Sequence, residues 1–307
     1  MYRIIFTLFF LNFVVGLTAA QQSLKVISYN IWNGFDHGKD LERRSQMISW
    51  LNNEDADVIA FQELNNFTQE SLETFAKLIG HSYAVILKEE GFPIGLTSKQ
   101  PIKLKSKMLG GFWHGLLHVE TYGIDFVVVH LSPHDWRFRK RETNLILDYI
   151  KGSIQEPGQK RFMVLGDFNA HSPFDVSFDR LNPEVLAFHR NHDAERYAEK
   201  GGEAYQSLRM GNYDYSVMAS FLSLPLIDVV EKFTSENARY SFPAPVIQDD
   251  PLKESMDGLH RRLDYIMVSP ALELFCISAE IANTGTTTRL SDHYPAIATF
   301  DFAQPKQ

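Results

Sequence analysis

The sequence predicts an α/β (α+β) protein, on three observations. Short apolar runs of strand length recur along the chain, stretches of helical period separate them, and the runs end on polar residues of ligand type. Leu24 to Ile31 reads as a strand, with Val26, Ser28 and Asn30 on one face. A polar turn follows, then a helix from about Leu41 to Leu51. Val58 to Phe61 is a short apolar strand ending in Gln62-Glu63. Thr68 to Ile79 is helical, with Leu72, Phe75, Ala76 and Ile79 sharing a face.

Tyr83 to Leu87, Gly95 to Ser98, Leu116 to Thr121 and Ile124 to His130 read as successive strands, the last two joined by a Tyr122-Gly123 turn. Gly110-Gly111-Phe112-Trp113 reads as the start of a core strand, with base stacking or lipid contact as the alternatives. A helix spans Trp136 to Ile150, and Phe162 to Leu165 is a buried strand that turns at Gly166-Asp167. Residues 172–240 look helical and loop-rich, and are expected to shape the rim of a cleft. Leu263 to Val268 and Ile297 to Phe302 are the closing strands.

Bulk properties narrow the class. The first twenty residues have Arg3 as their sole charge, an apolar run from Ile4 to Leu17 and small residues Thr18-Ala19-Ala20. That pattern is a secretory signal peptide cleaved near Ala20, and the run is short for a membrane span. Residues 21–307 then form a single exported domain, periplasmic or secreted, monomeric and without a membrane anchor. Cys276 is the only cysteine, which rules out an intrachain disulfide; its apolar neighbours place it in a buried strand. The formal charge of −8 argues against a basic nucleic-acid coat protein. It leaves a nuclease open, because a metal ion and a local basic patch bind phosphate against an unfavourable total charge.

Five strand ends carry chemistry-bearing residues: Asn30, Glu63, His130, Asp167 and Asp264. Strand ends on one edge of a rigid scaffold bring distant residues together, although each alone is also an ordinary solvated terminus. Glu63 closes VIAFQE, where an ionised carboxylate is costly unless paired or bound to a hard cation. In GDFN, Asp167 is placed to hold a water or metal and Asn169 to offer its amide to a phosphoryl oxygen; Gly, Asp and Asn also simply favour turns. His171 is read as a nearby loop residue outside the site. Asp264 and His293 can form the carboxylate–imidazole pair that fixes a tautomer, and Asp292 can contact metal directly or through water. His130 is placed to give a proton to a phosphoryl or leaving-group oxygen.

In order, SYN at 28–30, QE at 62–63, VVVHLS at 127–132, GDFN at 166–169, LDYI at 263–266 and SDH at 291–293 resemble the endonuclease/exonuclease/phosphatase superfamily. The superfamily includes deoxyribonucleases, AP endonucleases, neutral sphingomyelinases and inositol polyphosphate 5-phosphatases, and a secreted bacterial-type member is expected. The resemblance implies a four-layer α/β sandwich with two central, mostly antiparallel β-sheets flanked by helices. It implies Asn30, Glu63 and Asp292 on the metal side, with Mg2+, or else Mn2+ or Ca2+, as cofactor. Asp167 then orients or activates the attacking water, Asn169 contacts phosphate, and His293 is the catalytic histidine oriented by Asp264. Trp32 and His130 depart from the AP endonuclease pattern, which has an acid and a tyrosine there, so the expectation moves away from abasic-site repair.

The expected activity is therefore a phosphodiesterase or endonuclease. A sphingomyelinase, phospholipase C-type or sugar or inositol phosphate phosphatase is the alternative, and a non-catalytic binding protein on the same scaffold is a second. The substrate classes follow: nucleic acid, a phospholipid head group or a small phosphodiester. No long apolar hairpin announces a membrane-acting enzyme. Trp136 and Arg137, within the basic run Arg137 to Arg141, are the candidate contacts for flanking phosphates, the alternative being a solvated helix face.

Overall fold

A computed structural model describes residues 23–154, 158–251 and 253–303; the expected signal peptide lies outside them. Two six-stranded mixed sheets form the centre. The first contains β1 (Ser23–Asn30), β2 (Val58–Gln62), β3 (Tyr83–Ile86), β4 (Gly95–Ser98), β11 (Cys276–Ile281) and β12 (Ala296–Asp301), in the order β11-β12-β1-β2-β4-β3. The second contains β5 (Lys103–Met108), β6 (Leu116–Thr121), β7 (Ile124–His130), β8 (Phe162–Asp167), β9 (Ile227–Asp228) and β10 (Asp264–Val268), in the order β5-β6-β7-β8-β10-β9. Each sheet has the same plan, one central parallel pair with antiparallel neighbours on both sides. The parallel pairs are β1 with β2 and β7 with β8.

The sheets pack face to face. Val26, Val58, Leu96 and Ala298 of one meet Leu117, Val128, Leu165 and Ile266 of the other in a continuous core. Helices cover both outer faces. Met47, Leu51, Leu72 and Phe75 close over the first sheet, and Ile146, Ile150, Val217 and Phe221 over the second. The result is the four-layer sandwich, because each sheet has two apolar faces to bury. β7 is buried at every position, which is why it reads as an unbroken apolar run.

Two local features differ from the sequence reading, and a third adds to it. Gly110 to Trp113 forms a turn before β6 rather than the start of a core strand, with Gly111 at φ +85°. Gly166 lies inside β8, not at a turn; a Cβ there would stand 1.9 Å from the Val129 carbonyl oxygen at φ +144°. The polar turn after β1 is left-handed, with φ between about 50° and 61° from Trp32 to His37.

Candidate active site

The parallel pairs of both sheets end on the same side of the molecule, and register fixes who meets whom. On the second sheet His130 pairs with Asp167 and Asp167 with Asp264, so three neighbouring strands present them in a row. On the first sheet Asn30 pairs with Gln62, one residue before Glu63. Ser291-Asp292-His293 precedes β12 and is tied to β1, where the Ser291 hydroxyl donates to the Asn30 carbonyl at 2.7 Å.

One amide joins the sheets. Asn30 Nδ2 donates to Glu63 Oε1 at 3.1 Å and to Asp167 Oδ2 at 3.2 Å. Glu63 is held at φ 58°, and its Oε2 accepts the Asn33 amide at 2.8 Å, so the left-handed turn serves to aim a backbone N–H at this carboxylate. Asp167 is buried; its Oδ1 accepts the Asn169 amide at 2.9 Å, with Asn169 at φ 46°. Asn169 Nδ2 also donates to the Leu131 carbonyl.

His293 Nδ1 and Asp264 Oδ2 are 2.8 Å apart, and the opposite nitrogen, Nε2, stands 3.7 Å from Asp167 Oδ2. Burial opposes charge on this imidazole, but Asp264 and Asp167 outweigh it and raise His293 to about 10. Burial raises Asp167 to about 7, with His293 opposing and Asp264 and Glu63 adding to the rise. His130 Nε2 lies 3.5 Å from Asp167 Oδ2, while its ring stacks on His114 at 4.0 Å. Burial, with His114 and His293 beside it, holds His130 well below the usual imidazole range. The ring is neutral, and offers a hydrogen bond rather than a full proton.

These groups line a cleft of about 390 Å³, whose walls include Asn33, Glu63, Trp113, Asp167, Asn169 and His293. The donor set fits a hard divalent ion. Asp167, Asp264 and His293 each bring one ligand-type atom within 4.8 Å of the others, and Asp264 Oδ1 is buried without a partner. Burial first, then the charges of Asp264 and Glu63, raise Asp167, and a cation in the cleft would relieve both costs. Carboxylate and amide oxygens favour Mg2+, Mn2+ or Ca2+ over softer ions.

Asn30, Glu63, His130, Asp167, Asn169, Asp264, Asp292 and His293 therefore converge. Two named residues do not. Trp136 and Arg137 are absent from the cleft walls; Arg137 Nη2 binds Asp135 at 2.7 Å, and the Trp136 ring packs under Arg209. Sequence reasoning also missed Lys253, whose Nζ is 2.7 Å from Asp292 Oδ2 and lies over the Trp32 ring. Burial opposes the Lys253 charge, but Asp292 and Glu63 raise it, while burial opposes and Lys253 then lowers Asp292. His114 and Arg261 are further walls that went unassigned, and Trp113, for which base stacking was an alternative, is another. His171 pairs with Asp179 at 3.1 Å and is not among the cleft walls.

A sandwich of two mixed sheets with acids and histidines gathered at the strand ends fits a hydrolase of phosphoesters. The chain belongs to the Endonuclease/Exonuclease/phosphatase family, whose model matches residues 27–293. Solved structures share the fold. An AP endonuclease from Archaeoglobus fulgidus is 18% identical with a TM-score of 0.63, covering 91% of this chain and 99% of that one. The 3′ phosphatase NExo from Neisseria, bound to a product DNA hairpin, is 17% identical with a TM-score of 0.64, covering 91% and 100%. A humanized D. rerio TDP2 is 17% identical with a TM-score of 0.55, covering 91% and 99%. No curated protein sequence matches the chain.

Proposed function

We propose that this chain is an exported, monomeric, Mg2+-dependent phosphodiesterase of nuclease type. One observation carries the reading: a single cleft sets Glu63, held by Asn30, opposite Asp167 and the Asp264-oriented His293. Glu63, Asn30 and Asp292 are the residues assigned to hold the ion, as the family resemblance implies, while Asp264 is kept for orienting His293. A bound divalent ion supplies charge neutralisation at the phosphoryl oxygens. Asp167 accepts the proton of the attacking water and orients it. His293 presents Nε2–H to the phosphoryl group while Asp264 holds the ring. Asn169 and neutral His130 contact the remaining oxygens. Export rests on the pattern of residues 1–20.

A substrate panel with Mg2+, Mn2+ and Ca2+ tests the activity, using plasmid DNA, RNA, sphingomyelin and bis-p-nitrophenyl phosphate. Metal-dependent cleavage of DNA or RNA without sphingomyelin cleavage is expected. Sphingomyelin as the sole substrate moves the assignment to a phospholipase C-type enzyme, and turnover of none leaves a binding protein. N-terminal sequencing of the exported protein should begin near Gln21, and a mature chain retaining Arg3 overturns the export claim.

A further inference from the structure

A second groove, about 530 Å³, opens off the catalytic cleft between the loop after β7 and the helix Pro183–Lys200. The two spaces share a wall that includes His134 and Arg261. Glu63, Asp167 and His293 do not line the groove. Its described lining holds the rings of Phe188, His189 and His192, with Arg196 as a cation and Glu195 as the one acid; burial lowers both imidazoles, so they are neutral donors or acceptors.

Arg261 sets this groove apart. It is 8% exposed, its Nε has no hydrogen-bond partner, and no carboxylate pairs with it among the described residues. Its Nη1 contacts His189 Nε2, its Nη2 lies 3.8 Å from Met256 Sδ, and the guanidinium sits over Phe242. Burial pushes Arg261 down to about 10. The neighbouring Arg262 is the contrast: it bonds to Asp175 at 2.8 Å and to Asp228 at 2.7 Å. Extended backbone turns Arg262 into that acidic nest and leaves Arg261 and Leu263 facing the cleft. A buried cation with no carboxylate in contact, favoured only from farther off by groups such as Asp167 and Asp179, is costly, so a fork of this kind at a cleft wall fits an anion.

We propose that Arg261 anchors a second phosphate of the substrate, seated in the side groove while the scissile phosphate lies at Asp167 and His293. This rests on the phosphoester-hydrolase reading of the cleft. A phosphate with two free oxygens matches the guanidinium fork, and Arg196 adds a second positive charge to the groove. Such a group comes from a nucleotide or from a small phosphorylated sugar, and both carry the same chemistry.

Equilibrium binding in EDTA tests the site without turnover, so its result is independent of the substrate panel. The probes are thymidine 3′,5′-bisphosphate against thymidine 5′-monophosphate, and glucose 1,6-bisphosphate against glucose 1-phosphate. At least one bisphosphate should bind about 10-fold tighter than its monophosphate, a margin of about 1.4 kcal/mol, and the pair that does so identifies the source. Arg261→Met should reduce that ratio to about one, and Arg261→Lys should lower it while keeping the charge. Circular dichroism checks that the variants fold. Equal binding of both members of each pair by the wild type overturns the proposal even if the variants do not fold. So does an undiminished ratio in folded Arg261→Met.

Discussion

His293 commits Nδ1 to Asp264 at 2.8 Å and thereby points Nε2 into the cleft, 3.7 Å from Asp167. The carboxylate does two things at once. It fixes the ring, and it stabilises the positive charge that burial opposes. Replacing Asp264 by Asn keeps the shape but removes the charge, so the imidazole loses its cationic form at neutral pH. The expected outcome is a fall in kcat of about 10³-fold with a small change in KM. A near-wild-type kcat for Asp264→Asn sinks the assigned role.

Glu63 is the acid on the opposite wall, bonded by Asn30 and by the Asn33 amide. Glu63→Gln removes the negative charge but keeps the hydrogen-bond acceptor. Mn2+ affinity, followed by its paramagnetic resonance signal, should fall at least about 10-fold. Activity should vanish in EDTA and return on adding Mg2+. Unchanged Mn2+ affinity moves the ion away from Glu63.

Much of this arrangement was legible, for a physical reason. Buried strands must be apolar, so β1, β2, β7 and β8 announce themselves, and the polar residues that close them stand out. Asn30, Glu63, His130 and Asp167 were found that way. The edge strand β5 was not, because KLKSKM carries lysines that keep an edge soluble and hide the alternation. Of another edge strand, β11, only the buried Cys276 was foreseen. Lys253 and Arg261 went unread because they lie in a turn and an isolated bridge, outside any periodic element. The one signal for Arg261 was the run His260-Arg261-Arg262 before LDYI, where two adjacent arginines cannot face the same acids. Arg137 is the opposite case: as part of a basic run it looked free, but its own N-cap Asp135 pairs with it.

Gly166 couples fold to chemistry, since it stands one residue before Asp167 and against β7 backbone. The clash built by Gly166→Ala is with a carbonyl oxygen, which cannot swing away as a side-chain tip can, and φ +144° disfavours any L side chain. The variant should lose about 3 kcal/mol in urea unfolding and also lose activity, as Asp167 is displaced. Full stability would mean that β7 and β8 separate more easily than the register indicates.

Glu142 supports the cleft from below. Its carboxylate accepts the Trp113 amide at 2.7 Å and the Ser132 amide at 2.8 Å, and so pins two of the segments that wall the cleft. Burial raises its pKa to about 7, overcoming those two amides and the nearby Arg139 and Arg141. A folded pKa above the unfolded one means that this contribution to stability is complete below about 4.5 and is lost as pH rises through about 7. The wild type should therefore lose on the order of 3 kcal/mol between pH 4.5 and 8 that Glu142→Gln does not lose. Urea unfolding of both proteins across that range checks it. Parallel profiles would mean that the carboxylate is ionised throughout, with the arginines outweighing its burial.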